Sequence, residues 1–268
     1  MKDELLRLLV FTDLDGTLLD HDTYSYSGAL PALQRLKQLG VPLVLASSKT
    51  AAEIAPLHSA LQLSETPAIV ENGAGEYLAN GEQRGDERIY RAICASLDQL
   101  KAGVGSCFTG FHDLSAADVA KATGLSLTDA ELAKTRCFSE PGLWSGSDGD
   151  LELFLTALGE QGLAARRGGR FLTVSHGQTK QQAMERIAKR LGASITIALG
   201  DAPNDREMIE HADHGVIIRN DHGTGLPPLD GEATGDIRRT TLSGAAGWNE
   251  AVLDLLGELG FNNGVKHG

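Results

Sequence analysis

An apolar run, Leu8-Leu9-Val10-Phe11, leads through Thr12 to a carboxylate at Asp13, and a second carboxylate follows at Asp15. A run of large and β-branched residues like this reads as a strand buried on both faces. The residues just past the carboxyl end of such a strand stand where open α/β sheets bind their ligands. Two carboxylates at that lip can hold a hard divalent cation. A carboxylate there can also act as a nucleophile, and its neighbour can move a proton. Gly16 lets the backbone turn close to a phosphate, and Thr17 adds a hydroxyl. An Asp-Gly turn after a strand is common, so the pattern gains weight only from what else the chain carries.

Strand-like runs recur at Leu8–Thr12, Val41–Ala46, Ala68–Val70, Ile195–Leu199 and Gly215–Ile218, with helical patterns between several of them. Ala29–Leu39 sets Leu30, Leu33, Leu36 and Leu39 on one face and stops at Gly40. Thr50-Ala-Ala-Glu53 is a capping box, and Pro56 six residues on should kink that helix or shift its start. Thr179–Leu191 and Ala246–Leu259 read as further helices. Alternating strands and helices predict a doubly wound, mostly parallel sheet of the Rossmann-like α/β class, with Ala68–Val70 as one of its strands.

From about Gly81 to Thr173 the buried-strand runs fade. Capping signals at Ser115-Ala-Ala-Asp118 and Thr128-Asp-Ala-Glu131 open helices there, and short strands are expected at Arg136–Ser139 and Phe171–Val174. This stretch reads as a second, α+β domain inserted into the first. The expected division is 1–80 with 174–268 for the core and 81–173 for the insert. Asp221–Gly235, with Pro227-Pro228, reads as a surface loop, and 262–268 as a fraying tail.

Composition narrows the function. Lys plus Arg total 24 against 36 Asp plus Glu, a formal charge of −12 in 268 residues, which opposes non-specific nucleic-acid binding. No apolar run approaches the roughly 20 residues that span a bilayer. Cys94, Cys107 and Cys137 are odd in number and lack metal spacing, so they read as reduced thiols. With an N-terminus too charged for a signal peptide, they lead to an expected cytoplasmic protein.

Three more constellations join the first. Ser47-Ser48-Lys49-Thr50 follows the second strand, where a hydroxyl and a helix N-terminus can meet phosphate oxygens. Gly200-Asp201-Ala202-Pro203-Asn204-Asp205 follows a later strand and offers two carboxylates and an amide, a donor set suited to Mg²⁺. Lys180 stands at a predicted helix start, where the macrodipole disfavours a cation and a bound phosphate would compensate it.

The four elements, in this chain order, resemble the haloacid-dehalogenase superfamily, and the insert resembles its C2-type cap. Within it the chain looks most like the mannosyl-3-phosphoglycerate phosphatases. Asp13-Leu-Asp-Gly-Thr-Leu-Leu-Asp20 with Tyr24, Ser47-Ser-Lys-Thr50 and Glu71-Asn-Gly73 carry the likeness. So do Glu140-Pro141 with Trp144, Gly168-Gly-Arg-Phe171, Gly200-Asp-Ala-Pro-Asn-Asp205 and Gly247-Trp-Asn-Glu-Ala-Val252. Two departures are Gln181, where the family usually has Gly, and Gly244-Ala-Ala, where it commonly carries Gly-Pro.

The resemblance implies a phosphomonoester hydrolase. Mg²⁺ would be held by Asp13, the backbone carbonyl of Asp15 and Asp201, with Asn204 or Asp205 in support. Asp13 would be the nucleophile that forms an aspartyl-phosphate, and Asp15 the acid and then the base. Ser47 and Lys180 would hold phosphate oxygens. Gly16, Thr17, Ser48, Lys49 and Thr50 would line the site, Glu71, Asn72 and Glu140 would meet sugar hydroxyls, and His176 would stand at the mouth. Arg167 and Arg170, in a Gly-bracketed basic run of an acidic chain, suit the carboxylate of a phosphorylated sugar-glycerate. A glucosyl or other sugar phosphate, a C2-capped phosphomutase and a phospho-accepting receiver domain are the alternatives. The receiver is much shorter and lacks the insert.

Overall fold

The computed structural model describes residues 7–78, 83–84, 87–222 and 225–261. The expected boundary at 80/81 and the fraying of 262–268 lie outside them. The chain divides into two compact units, Met1–Ala46 with Met184–Gly268, and Ser47–Ala183.

The first unit opens with β1 (Leu8–Thr12), α1 (Leu30–Leu39) and β2 (Leu43–Leu45). Every residue of β1 is buried, as its apolar run requires. Gly40 ends α1 in the left-handed conformation, φ 66°. The core-facing positions of α1 are Ala32 and Leu36; Leu30 is 41% exposed, because it is the first residue of the helix rather than part of its buried stripe.

The second unit runs through α2 (Ala51–Ala60), β3 (Ala68–Val70), β4 (Gly75–Tyr77), β5 (Gln83–Arg84), α3 (Glu87–Leu100) and β6 (Phe108–Gly110). It continues with α4 (Ala116–Thr123), α5 (Leu127–Ala133), β7 (Ser139–Trp144), α6 (Asp148–Glu160), β8 (Ala164–Gly168) and β9 (Phe171–Ser175). The helix α7 (Lys180–Leu191) carries the chain back. The first unit then resumes with β10 (Ile195–Gly200), α8 (Arg206–His211), β11 (His214–Arg219), α9 (Asp230–Thr234), β12 (Ile237–Ser243) and α10 (Gly244–Glu258).

The sheet of the first unit is parallel, in the order β12-β11-β10-β1-β2. β1 lies between β10, pairing Val10 with Ile197, and β2, pairing Val10 with Leu43. Parallel strands need long crossovers, and those crossovers leave all carboxyl ends on one edge of the sheet. α10 buries Trp248 completely, and its indole N–H donates to Thr12 Oγ1 at 2.9 Å. That hydroxyl in turn donates to the carbonyl of Asp13 at 2.7 Å. The stretch expected as a loop after Asp221 contains α9 and buries Leu226 and Leu229 against Ile209, Ile217 and Ile237. β12 ends the sheet order. Arg238 there forks onto Glu258 (3.0 and 2.8 Å), and Arg239 onto Glu232 (2.7 and 2.9 Å).

Two antiparallel sheets build the second unit, β3-β4-β5 and β6-β7-β9-β8. Ala68–Val70 is therefore a strand, as expected, but it pairs antiparallel with β4 and is not part of the parallel sheet. The strand expected at Arg136–Ser139 begins only at Ser139, and α5 is capped by Ser126, not Thr128. The frame from Ser126 places Ala130 and Ala133 in the core with Phe111 and Val119. α2 runs through Pro56 as one helix. The larger core gathers Ile93, Leu97, Phe108, Phe154, Leu158, Leu163, Leu172 and Val174. The ring of Phe154 stacks between Trp144 and Phe108 at 5.1 and 5.5 Å.

Candidate active site

Asp13 directly follows β1 and Asp201 directly follows β10, two neighbouring strands, so both carboxylates stand at the same edge of the sheet. The N–H of Asp13 donates to the carbonyl of Leu199 at 2.9 Å, which carries the strand pairing up to the site. Asp13, Asp201 and Asp205 are buried, and each offers an oxygen within 4.8 Å of the others. Like charges this close, out of water, repel one another, and a bound cation would offset that repulsion. Three hard oxygen donors suit Mg²⁺, which takes a few carboxylates and completes its shell with water or substrate oxygens.

Asp201 and Asp205 are aimed by their surroundings. Asp205 Oδ2 accepts the N–H groups of Asp201 (3.2 Å) and Ala202 (3.1 Å), closing the loop over residues 201–205. Asp201 Oδ1 accepts the hydroxyl of Thr17 and Oδ2 accepts the amide of Asn220, both at 2.6 Å. Gly16 is required twice. Its φ is +80°, and an added Cβ would meet Asn220 Nδ2 at 2.8 Å and Asp201 Oδ2 at 3.1 Å. The loop around it is laced by Gly16 N–H to Leu19 O (3.0 Å), Thr17 N–H to Leu14 O (3.1 Å) and Leu19 N–H to Leu14 O (2.8 Å). Asp15 is half-buried, two residues beyond Asp13 in that loop, and Asn204 is half-buried between Asp201 and Asp205.

Asn220 escaped the sequence reading. Its signal was its place: it directly follows β11, the next strand along the same sheet edge. Thr12 and Trp248 escaped as partners too, since the pair is separated by 236 residues.

Within the second unit, Ser47 and Lys180 are 2% and 1% exposed. Ser47 Oγ accepts the N–H of Lys49 at 3.2 Å. Thr50 caps α2 in the expected box with Glu53, and its hydroxyl also donates to the carbonyl of Leu132. Thr179 Oγ1 accepts the N–H of Gln182, so Lys180 is the first residue of α7. Burial and the helix dipole both oppose a cation there, and a neighbouring anion relieves both. Ser48 is exposed, and its carbonyl accepts Arg136 Nη1 at 3.0 Å.

Glu71 and Glu140, expected to meet sugar hydroxyls, both accept hydrogen bonds from donors within the protein. Glu71 is 1% exposed and accepts the N–H groups of Cys137 and Phe138 and the hydroxyl of Ser139. Glu140 is fully buried and accepts Tyr90 Oη at 2.8 Å and the N–H of His112 at 2.6 Å. Burial pushes its carboxyl above the usual carboxylate range, against the pull of those donors. The same burial raises the Tyr90 phenol and pushes the Cys94 thiol up to about 11. Asn72 is half-buried. Arg167 and Arg170 are exposed on the β8–β9 hairpin. Arg170 donates to the carbonyl of Ala122 (2.9 Å) and lies over the Phe171 ring, whereas Arg167 is one of the hairpin's outward residues. His176 is exposed beside the carbonyl of Gly162.

The haloacid dehalogenase-like hydrolase family matches residues 10–126 and 164–224, more than half of the chain. A glucosyl-3-phosphoglycerate/mannosyl-3-phosphoglycerate phosphatase of Methanococcoides burtonii is 31% identical over 279 aligned residues, covering 97% of this chain and 100% of the relative. A phosphatase of the same superfamily from Bacteroides thetaiotaomicron shares the fold with a TM-score of 0.66 at 17% identity, over 98% of both chains. The sucrose-phosphatase of Synechocystis, solved with sucrose and phosphate, has a TM-score of 0.62 at 16% identity, over 92% of this chain and 97% of its own. With its acidic cluster at the strand ends and these relatives over its length, the chain belongs to the haloacid dehalogenase-like hydrolases, as a phosphatase of that family.

Proposed function

We propose that the chain is a Mg²⁺-dependent phosphomonoester hydrolase that works through an aspartyl-phosphate and converts mannosyl-3-phosphoglycerate to mannosylglycerate. The observation that carries the reading is the buried Asp13–Asp201–Asp205 cluster at the edge of the parallel sheet. Asp13, Asp201 and Asp205, with the carbonyl of Asp15 and with Asn204 in support, would hold Mg²⁺. Bound there, the ion would offset charge that otherwise repels a carboxylate from a phosphate dianion.

In this mechanism Asp13 attacks phosphorus in line and the ester oxygen leaves. Asp15 gives that oxygen a proton, then takes one from the water that hydrolyses the aspartyl-phosphate. Ser47 donates to a phosphate oxygen, and Lys180 balances the charge that spreads over the phosphoryl group. The Trp248–Thr12 relay holds the backbone carbonyl of Asp13, the peptide from which the nucleophile projects. We take residues 1–80 and 174–268 as the catalytic core and 81–173 as the cap. Arg167 and Arg170 are assigned to the glycerate carboxylate. Among the described residues no helix is long and apolar enough to cross a membrane. Reduced cysteines, none of them in a disulfide, are the feature from which we assign the cytoplasm.

The substrate follows the relative, whose name covers both the glucosyl and the mannosyl compound. A panel of mannosyl-3-phosphoglycerate, glucosyl-3-phosphoglycerate, sucrose phosphate and hexose phosphates, read as released phosphate with and without Mg²⁺, tests it. The highest kcat/KM is expected on the mannosyl compound, with no turnover in chelator. Preference for a phosphate lacking the glycerate would overturn the substrate, and an isomerised sugar phosphate in place of free phosphate would overturn the hydrolase.

A further inference from the structure

Three consecutive residues at the end of β3 adopt positive φ: Glu71 at 50°, Asn72 at 60° and Gly73 at 97°. Glycine takes that conformation freely, but glutamate and asparagine do so at a cost, and such strain persists only where the surroundings hold it. What holds this turn, and what the turn holds, are both visible within the second unit.

The turn is laced to the Ser47 segment by backbone bonds. The N–H of Glu71 donates to Lys49 O and that of Asn72 to Ser47 O, both at 2.9 Å, while Ser47 N–H donates to Ile69 O at 3.0 Å. It also abuts the start of α7. A Cβ on Gly73 would lie 2.1 Å from Thr179 O and 2.7 Å from Lys180 N, so only glycine allows the two backbones to approach this closely. One strained turn thus touches both Ser47 and Lys180. Its own anchor is the Glu71 carboxylate, whose side chain is fully buried. Cys137 N–H (2.9 Å), Phe138 N–H (3.1 Å) and Ser139 Oγ (2.7 Å) donate to it, and Arg136 Nη1 lies 3.8 Å away. Arg136 reaches back to the same segment by donating to Ser48 O at 3.0 Å.

We propose that Glu71 is a positioning residue. With Arg136 it clamps the start of β7 to the turn that sets Ser47 and Lys180 in register, and so couples the strand of the substrate-selecting sheet to the phosphate-binding residues. The inference rests on the reading that Ser47 and Lys180 bind phosphate. A carboxylate suits the task because all the groups around it are donors, and a neutral amide would turn one N–H against them.

The test compares Glu71→Gln, Arg136→Gln and Lys180→Met with the full-length protein, well below each melting temperature. Competitive inhibition by inorganic phosphate, kcat and the Mg²⁺ half-saturation are measured. Glu71→Gln should weaken phosphate inhibition and kcat by on the order of 10–100-fold, as small misplacements of catalytic groups do, with Mg²⁺ half-saturation unchanged. Arg136→Gln should move the same quantities less, and it decides the matter if Glu71→Gln does not fold. A variant that melts earlier but keeps phosphate inhibition and kcat would overturn the proposal and leave Glu71 a purely structural residue. If Lys180→Met also leaves phosphate inhibition intact, the reading beneath it fails instead. If Lys180→Met abolishes inhibition while the other two do not, the positioning role alone falls.

Discussion

The parallel sheet of the first unit and the four-stranded antiparallel sheet of the second solve different problems with the same backbone bonds. β1 is buried along its whole length, whereas β9 alternates between buried and half-exposed and β8 has no fully buried residue. A strand covered on both faces has no room for chemistry along its length, so its polar groups collect where it ends, as Asp13, Asp201 and Asn220 do. A strand with an open face, as β8 and β9 have, can present side chains along its length. The two units also treat buried charge differently. The first gathers three carboxylates within reach of one another, and the second surrounds its buried Glu71 with donors. The first arrangement calls for a cation, while the second is complete within the protein.

Substitutions can break this contrast. Asp13→Asn should abolish phosphate release, because an amide is a poor nucleophile. It should also raise the melting temperature of the metal-free protein, since one of three buried like charges is gone. Activity above a few per cent in clean protein, or a lower melting temperature, would contradict the picture of a strained acidic cluster. Phe154→Ala addresses the other unit. Emptying a fully buried aromatic site should cost about 3–5 kcal/mol of unfolding free energy by denaturant titration, without moving the Mg²⁺ half-saturation. A parallel shift in metal affinity would mean that the two regions are not energetically separate.

Finer tests sharpen the contrast. Arg167→Ala removes an exposed guanidinium from the open sheet. It should raise KM for a glycerate-bearing substrate by a contact worth roughly 1.5–3 kcal/mol, and spare p-nitrophenyl phosphate. Equal damage to both would place that arginine in the phosphate chemistry or the fold. The smallest effect concerns Glu140, whose carboxyl burial holds above its unfolded value. A raised value means that the folded state keeps the proton better. The stability it contributes is therefore complete below the unfolded value and lost as pH rises through the folded one. Unfolding free energy of the wild type should fall relative to Glu140→Gln across that window, and a difference that stays flat with pH would refute the assignment.

What was legible in the sequence follows the range of the interactions. β1, its terminal Asp13, the capping boxes at Thr50 and Ser115, and the loop 201–205 rest on contacts a few residues apart, and the structure has them as expected. The partner of β3 was not legible, because Ala68-Ile-Val70 has the same apolar signature in a parallel or an antiparallel sheet. β12 was not read as a strand, since Ile237-Arg-Arg-Thr-Thr-Leu-Ser243 buries only Ile237 and looks like a polar connection. The protein donors to Glu71 were not legible because they lie 66–68 residues downstream, and a carboxylate after a strand signals a ligand as readily as a brace.

The polar character that hid β12 has a consequence for how molecules of this protein meet. A strand at the end of a sheet order offers unpaired backbone groups to any other extended chain, the first step of edge-to-edge aggregation. Here the strand is bulged where its pairing with β11 shifts register between Ile217 and Arg219, and it carries Arg238 and Arg239, whose heads are pinned by Glu258 and Glu232. A bulge and charged side chains both disfavour the docking of a second strand, so the same seven residues that complete the sheet also guard its edge.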